Sequence, residues 1–314
     1  MKRQVPTLDL RDFTSSVQEK RDQFITDLKN GLIEYGFIIL EGHGVDQVKI
    51  DQAYEKFQAF FHLPIKSKLK YAKEEYKKQR GYIPFGLEQA VGYDHPDLKE
   101  FWHVGREISA EHAYAKYYPK NVNPEEIENF ENVTREIYEQ MDSSSKLLLE
   151  AISIGLGLEP NLLPDMATDG NSILRCIHYP PTKGEDTKNR VRAAAHGDIN
   201  LITLLVGATE SGLELLDRDG SWLPVNSTPG QIVVDTGDMM SRITNDVMPA
   251  TIHRVINPKN DYSARFSMPF FVHPHPEVTL ECLPTCVGEG AKYPPINAQE
   301  FLFERLKNIG LKPE

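Results

Sequence analysis

The chain has 314 residues, 40% of them hydrophobic and 26% charged, with a formal net charge of −11; that acidity excludes the basic face demanded by nucleic acid or an anionic membrane surface. Its apolar runs are short and interrupted by charge, so no transmembrane helix is expected, and the opening Met1-Lys2-Arg3-Gln4-Val5-Pro6 lacks the apolar core of a signal peptide. Three cysteines do not make a disulfide framework, which fits a reducing cytoplasm.

Length exceeds the usual size of one hydrophobic core but allows one large β-rich domain with helical additions. Thr7-Leu8-Asp9-Leu10 reads as a short strand. Ser15 or Ser16 then caps a helix whose apolar residues Val17, Phe24, Leu28 and Leu32 recur near helical spacing. Phe37-Ile38-Ile39-Leu40 is a buried strand ended by Gly42-His43-Gly44. The next helix carries Val48, Ala53, Phe57, Phe60 and Phe61 and stops before Leu63-Pro64. Residues 76–115 have weak periodicity and read as irregular, with one strand near Glu100-Phe101-Trp102-His103-Val104.

A long helix is expected after Asn123-Pro124, with Pro at its first turn. Its stripe comprises Ile127, Phe130, Val133, Ile137, Met141, Leu148 and Ile152, and Gly155 and Gly157 weaken its end. From Ser172 the pattern is β. The strand-like runs are 173–178, 193–196, 201–206, 213–216, 222–225, 232–235, 251–256 and 265–272. Turn signals such as Pro180-Pro181, Asp219-Gly220, Pro229-Gly230, Asn245-Asp246 and Asn257-Pro258 separate them. About eight short strands at this spacing predict a closed double-sheet jelly roll. A last helix, Ala298 to Ile309, carries Phe301, Leu302, Leu306 and Ile309.

Two clusters suggest metal chemistry. His273, His275, Cys282 and Cys286 could in principle hold zinc, but two histidines one residue apart across a Pro are a poor match to zinc spacing, so a strand exit and turn is favoured. The second cluster is His196-Gly197-Asp198 with His253 far downstream. On a strand, residues two apart share a face. Two His and one carboxylate can occupy one triangular face of an octahedral metal, leaving three positions for substrate and dioxygen. The bland alternative is a surface His and Asp at a strand end, with His253 hydrogen-bonded separately. This donor set suits Fe(II), Mn(II), Co(II) or Zn(II); only dioxygen chemistry would select iron.

Arg265 and Ser267 are also two apart. An Arg fork matches a carboxylate, a Ser hydroxyl adds a hydrogen bond, and Tyr179 can supply a phenol. Taken singly, Arg265 reads equally as a solvated strand residue and Tyr179 as a rim aromatic.

The run His196-Gly197-Asp198, Gly212-Leu213-Glu214-Leu215, Asp219-Gly220-Ser221-Trp222-Leu223-Pro224-Val225, Gly237-Asp238, His253-Arg254-Val255, Arg265-Phe266-Ser267 and Pro269-Phe270-Phe271 resembles the Fe(II)/2-oxoglutarate-dependent dioxygenases of the isopenicillin N synthase-like superfamily. Tyr35-Gly36-Phe37, Gly42-His43-Gly44-Val45, Leu63-Pro64 and Arg80-Gly81-Tyr82-Ile83-Pro84-Phe85-Gly86 resemble that family's N-terminal region. The resemblance spans nearly the whole chain in the family's order. It implies a jelly-roll core with flanking helices and iron on His196, Asp198 and His253. It further implies that Arg265, Ser267 and Tyr179 hold the distal carboxylate of 2-oxoglutarate. As one integrated domain, residues 1–115 form the N-terminal α/β region, 116–171 a long helical segment, 172–290 the jelly-roll core and 291–314 the C-terminal helix. The chain departs from the family where Ile177 replaces an Asn common in plant members, Gly197 replaces a common Thr or Glu, and Asn245-Asp246 replaces Asn-Gly. These departures spare the triad and leave the substrate open.

The expected activity is oxidation, by default hydroxylation, of a small molecule with conversion of 2-oxoglutarate and dioxygen to succinate and carbon dioxide. Desaturation, ring closure and ethylene formation are family variants, and ascorbate is an expected support for activity. A monomer is expected, with nucleic acid and membrane excluded as partners. Two rivals are an oxidase of the same fold that needs no 2-oxoglutarate, and a non-enzymatic barrel that binds a metabolite or metal. His43 is expected to be structural; His62, His103 and His178 have no assigned partner. Trp102 and Tyr82 are candidates to line the substrate pocket.

Overall fold

Strand alternation divides the interior of this protein into two compartments. The computed structural model describes residues 3–76, 78–88, 97–181, 191–207, 212–257 and 264–308. Its strands are β1 (Thr7–Asp9), β2 (Phe37–Glu41), β3 (Gly81–Ile83), β4 (Glu100–Gly105), β5 (Ile173–Tyr179), β6 (Ala193–His196), β7 (Ile202–Val206), β8 (Leu213–Leu216), β9 (Trp222–Pro224), β10 (Ile232–Thr236), β11 (His253–Val255), β12 (Arg265–Val272), β13 (Thr279–Leu280) and β14 (Ile296–Asn297). The helices are α1 (Leu10–Phe13), α2 (Gln18–Tyr35), α3 (Gln47–Phe61), α4 (Ile65–Lys68), α5 (Phe130–Gly155), α6 (Leu162–Ala167), α7 (Asp238–Ile243) and α8 (Ala298–Asn308).

An eight-stranded sheet runs β1-β2-β10-β7-β12-β5-β4-β3 and faces a four-stranded sheet, β6-β11-β8-β9. All pairings in the two are antiparallel except β1 with β2. This is the jelly roll that the strand count predicted. Along β12, Phe266, Met268, Phe270 and Val272 pack outward into the larger core, shared with α2, α3 and α5. The alternate residues Arg265, Ser267, Pro269 and Phe271 line a cavity between the sheets. The same period splits β7, where Ile202, Leu204 and Val206 face the helices while Thr203 and Leu205 face the cavity. These strands read as apolar in sequence because their outer face is covered by helices; their polar residues mark the inner face.

Helix α2 ends where Gly36 adopts φ +66° and its N–H caps Leu32 O at 2.9 Å. A Cβ at Gly36 would sit 2.2 Å from Thr251 Oγ1, so only glycine both ends the helix and lets β2 start one residue later.

Several expectations are corrected. Val17, not Ser15 or Ser16, occupies the α2 N-cap; Ser15 Oγ instead accepts from the Val17 N–H. Val17 and Val48 are exposed rather than on buried stripes. The long helix begins at Phe130, not Pro124, because Asn129 at φ +59° turns the chain just before it. The irregular region contains β3, whose Tyr82 pairs with Trp102 of β4; three residues are too few to register as a period. Trp102 and Tyr82 do not line the pocket: both are buried in the larger core against Phe60. Pro258 and Ile309 lie outside the described residues. No helix among the described residues is long and apolar enough to cross a membrane.

Candidate functional site

The inter-sheet cavity brings His196 and His253 together by register. They are direct partners in the antiparallel β6–β11 pair, with ring centroids 4.5 Å apart. Asp198 lies two residues past the end of β6, so its position is not set by strand alternation. Its backbone O accepts from Asp238 N–H at 2.7 Å, and its Oδ2 accepts from the Thr203 hydroxyl. That leaves Oδ1 3.9 Å from His196 Nε2 and 3.8 Å from His253 Nε2.

Among the described residues this is the one group of three or more His, Cys, Asp or Glu whose donor atoms converge, all within 4.8 Å. Three donors on one face of an octahedral metal would lie about 3 Å apart, and the 3.8 and 3.9 Å separations from Asp198 Oδ1 are within about an ångström of that spacing. Each ring nitrogen facing away has a carbonyl partner: His196 Nδ1 donates to Ala194 O at 2.7 Å and His253 Nδ1 to Thr251 O at 3.2 Å. Those bonds place the proton on Nδ1 and aim the Nε2 lone pair at the shared point. Burial, with His196 beside it, lowers the His253 pKa to about 4, so the ring is a neutral donor at pH 7. Burial and, after it, the nearby Asp198 push the Asp235 carboxyl well above its usual pKa. Two imidazoles and one carboxylate, pre-oriented, with His253 and Asp198 buried and His196 partly exposed, fit a ferrous ion.

Arg265, Ser267 and Tyr179 lie in the same cavity. Arg265 and Tyr179 are register partners across β12 and β5, the guanidinium carbon is 5.0 Å from the Tyr179 ring centre, and Arg265 Nη1 donates to Ser267 Oγ at 3.2 Å. Arg265 is 1% exposed. A buried fork, a hydroxyl and a phenol meeting at one end of a cavity, with the triad at the other, can seat a dianion that reaches the metal.

A second chamber of about 560 Å³ opens on the other side of His196 and Asp198. Lys99, Arg175 and Phe271 border both spaces. Lys99 Nζ lies 2.7 Å from Glu88 Oε1 and 2.9 Å from Asp97 Oδ2, and Arg175 Nη1 is 3.2 Å from Glu88 Oε2. Burial alone would raise the Glu88 pKa, but Arg175 and Lys99 outweigh it and hold the carboxyl well below its usual range.

Two family models match the chain. One describes the N-terminal region of a non-haem dioxygenase in morphine synthesis and covers residues 5–126; the other describes the 2OG-Fe(II) oxygenase superfamily and covers residues 170–274. The 2-oxoglutarate-Fe(II) type oxidoreductase hxnY of Emericella nidulans is 30% identical over 308 residues, 95% of this chain and 88% of that protein. The chain belongs to the 2OG-Fe(II) oxygenase superfamily. A Caulobacter crescentus protein assigned to that family has a crystal structure that matches this oxygenase with TM-score 0.87 and 42% identity, covering 96% of this chain and 98% of that one. Full-length Neurospora crassa T7H in complex with alpha-KG and thymine matches with TM-score 0.86 and 26% identity, covering 96% of each chain. The protein is an Fe(II)- and 2-oxoglutarate-dependent oxygenase with a jelly-roll core.

Four histidines outside the triad, His43, His62, His103 and His178, have ordinary partners. His43 Nε2 donates to Gly230 O and Nδ1 accepts from Val45 N–H, a turn-packing role. His62 Nδ1 contacts Gln58 O. His178 faces the helices, stacked on Phe266 with Nδ1 2.8 Å from Glu100 Oε1, and not the pocket mouth. His103 takes a hydrogen bond from Arg175 Nε at 2.7 Å, and burial lowers its pKa well below the usual value. Of the weighed zinc residues, His275 stacks on Tyr114, Cys282 and Cys286 are free thiols, and His273 lines the second chamber. Sequence reasoning missed Thr203, Asp235, Lys99, Glu88 and Arg175. Arg175 was within reach, since it lies four residues before Tyr179 on β5 and therefore on the same face.

Proposed function

We propose that His196, Asp198 and His253 hold the ferrous ion, that Arg265, Ser267 and Tyr179 seat the distal carboxylate of 2-oxoglutarate, and that a small organic molecule is oxidised in the adjoining chamber, in the cytoplasm. The reading rests chiefly on one observation: His196, Asp198 and His253 line one cavity with Arg265, Ser267 and Tyr179. When bound, iron supplies the one-electron chemistry that lets dioxygen react. The stoichiometry is one 2-oxoglutarate, one dioxygen and one C–H group giving succinate, carbon dioxide and an alcohol, with one oxygen atom in succinate and one in the product.

The chain's own residues bind, orient and exclude. Arg265, almost fully buried, would neutralise one carboxylate, and Ser267 would fix its rotation. Thr203 occupies one oxygen of Asp198, which keeps the other directed at the metal. The wall of Lys99, Arg175 and Phe271 separates co-substrate from substrate. The three free thiols suit a reducing cytoplasm. That T7H was crystallised with thymine supports a small organic substrate here.

The test is succinate release with oxygen uptake in the presence of Fe(II), ascorbate and 2-oxoglutarate, alongside iron stoichiometry of the His253→Ala variant. One iron per wild-type chain, and loss of both iron and turnover in the variant, are expected. Full iron occupancy in His253→Ala removes that residue from the ligand set.

A further inference from the structure

The β6–β11 pair that carries two of the triad residues is not regular. His253 lies opposite His196 and Val255 opposite Ala193, so two steps along β11 (255 − 253 = 2) match three along β6 (196 − 193 = 3). β6 therefore holds one extra residue, a β-bulge at Ala194-Ala195. On a regular strand, residues three apart face opposite sides, yet Ala193 and His196 line the same inter-sheet cavity. The extra residue is what turns His196 inward.

A bulge needs a hold. Its extra residue drops out of the ladder, and a slip of one residue would restore regular pairing and turn His196 to the other face. β6 is also the edge of its sheet, with β11 on one side only. His196 is the most open of the three triad side chains, 36% exposed against 10% for His253 and 8% for Asp198. The hold comes from the segment that leads into β4 of the large sheet. Asp97 Oδ1 accepts from Ala194 N–H at 3.1 Å, and Leu98 N–H donates to Val191 O at 3.2 Å. The carbonyl of Ala194 accepts from His196 Nδ1 at 2.7 Å. Both backbone polar groups of the bulged residue are thus taken, one by Asp97 and the other by the imidazole that the bulge aims. Asp97 is itself fixed: it is buried, its Oδ2 is 2.9 Å from Lys99 Nζ, and its N–H donates to Glu88 O at 3.0 Å. A carboxylate this buried needs a counter-charge, and Lys99 supplies it while also meeting Glu88 Oε1 at 2.7 Å.

We propose that Asp97 is a positioning residue for the iron site: by holding the bulge of β6 it fixes the direction of the His196 imidazole, and through it the affinity and geometry of the metal. This rests on the reading of His196 as an iron ligand. Asp97 touches neither metal nor substrate. It acts across the sheets, as Thr203 acts on Asp198, with one oxygen given to the small sheet and the other locked by a residue of the large sheet's approach.

The experiment uses the full-length protein freed of metal. It is titrated anaerobically with Fe(II) against a competing chelator, and with Co(II), whose ligand-field absorption reports the arrangement of its donors. Wild type, Asp97→Ala, Asp97→Asn and Phe60→Ala are compared, with thermal unfolding measured on each. Groups that orient a metal ligand are typically worth about 10- to 100-fold in metal affinity; Asp97 acts through one intervening residue, so Asp97→Ala should weaken Fe(II) binding by about tenfold and alter the Co(II) bands. Asp97→Asn keeps an acceptor for Ala194 N–H but loses the charge that meets Lys99, and should fall between, about threefold weaker than the wild type. Phe60→Ala, destabilised in the larger core, should bind both metals as the wild type does, which separates aiming from general loss of stability. Asp97→Ala with wild-type Fe(II) affinity and unchanged Co(II) bands overturns the proposal, as does an equal loss in Phe60→Ala. Should Asp97→Ala not fold, Asp97→Asn decides alone, and wild-type affinity and bands in it overturn the proposal. The His253→Ala variant keeps the two readings apart: Co(II) bound as tightly without His253 refutes the ligand set, whereas loss there with no effect at Asp97 refutes the positioning role alone.

Discussion

Replacing Arg265 by Gln probes the co-substrate seat most directly. Arg265 is 1% exposed, faces Tyr179 and donates to Ser267, so the lost guanidinium cannot be replaced by solvent on the same side. Gln preserves most of the length of the side chain but removes the charge and the fork. Loss of one charge-assisted, bidentate interaction costs about 2–4 kcal/mol, which corresponds to a rise of roughly 30- to 1000-fold in the dissociation constant for 2-oxoglutarate. Lys at 265 should restore part of this, since it keeps the charge without the planar fork. Ser267→Ala should move the constant in the same direction by less, because a neutral donor contributes about 1 kcal/mol. The assay is anaerobic titration of 2-oxoglutarate into the Fe(II)-loaded wild type and variants, with iron content and thermal unfolding measured on the same samples. If Arg265→Gln folds, holds iron and binds 2-oxoglutarate within threefold of the wild type, the carboxylate seat lies elsewhere.

Other outcomes follow from the same geometry. Thr203→Val removes the hydroxyl that holds Asp198 Oδ2 while keeping the shape, and iron affinity should fall by about 10- to 100-fold by competition with a chelator; an unchanged affinity refutes the orienting role. Metal-free protein should lose stability as pH falls from about 6.5 toward 4, because burial depresses the His273 pKa to about 4 in the folded state while the unfolded ring takes up its proton near 6.5. Each such histidine contributes a slope of about 1.4 kcal/mol per pH unit within that window and none above it, so urea unfolding of His273→Asn should show a shallower pH dependence than the wild type. Phe60→Ala should destabilise by about 3–5 kcal/mol in urea titration, since Phe60 is 0% exposed and packs edge-on against Trp102, Tyr82, Tyr71 and Phe61; under 1 kcal/mol would place it outside the folding core. Changing Cys282 and Cys286 together to Ser should leave activity nearly unchanged, and zinc that survives removal of the active-site metal would overturn that.

What the sequence made legible was whatever local period could carry. Arg265 and Ser267 are two apart on one strand, and the structure puts them on one face with Tyr179 as a register partner. His253 could be joined to His196 and Asp198 as a candidate ligand set by residue type, and the resemblance strengthened it; register across strands 57 residues apart leaves no local mark, and the structure supplies the direct pair. Asp198 reached the right place for a different reason from the one its spacing suggested, since it lies beyond the strand and is held by Asp238 N–H and Thr203. The chamber wall was illegible. Glu88, Lys99, Asn171, Arg175 and His273 come from distant segments, and only sheet order gathers them. Asn129, which sets the start of α5, was hidden by the stronger Pro signal five residues earlier.

The distribution of the site between the two sheets explains why so few residues carry it. His196 and His253 belong to the small sheet, while Arg265, Ser267 and Tyr179 belong to the large one, so the distance between triad and seat is fixed by the packing of sheets, which stand about 10 Å apart. Asp198 bridges the two: it follows β6 of the small sheet, yet Thr203 of β7 in the large sheet donates to it, with Asp235 of β10 beside it. Burial pushes the Asp235 carboxyl well above its usual pKa, which disfavours a second negative charge beside the triad. The proposed co-substrate end of the site is therefore a consequence of the barrel itself. The proposed substrate end is assembled from β4, the outer end of β5–β12 and α8, which can vary without disturbing the β6–β11 pair that carries His196 and His253.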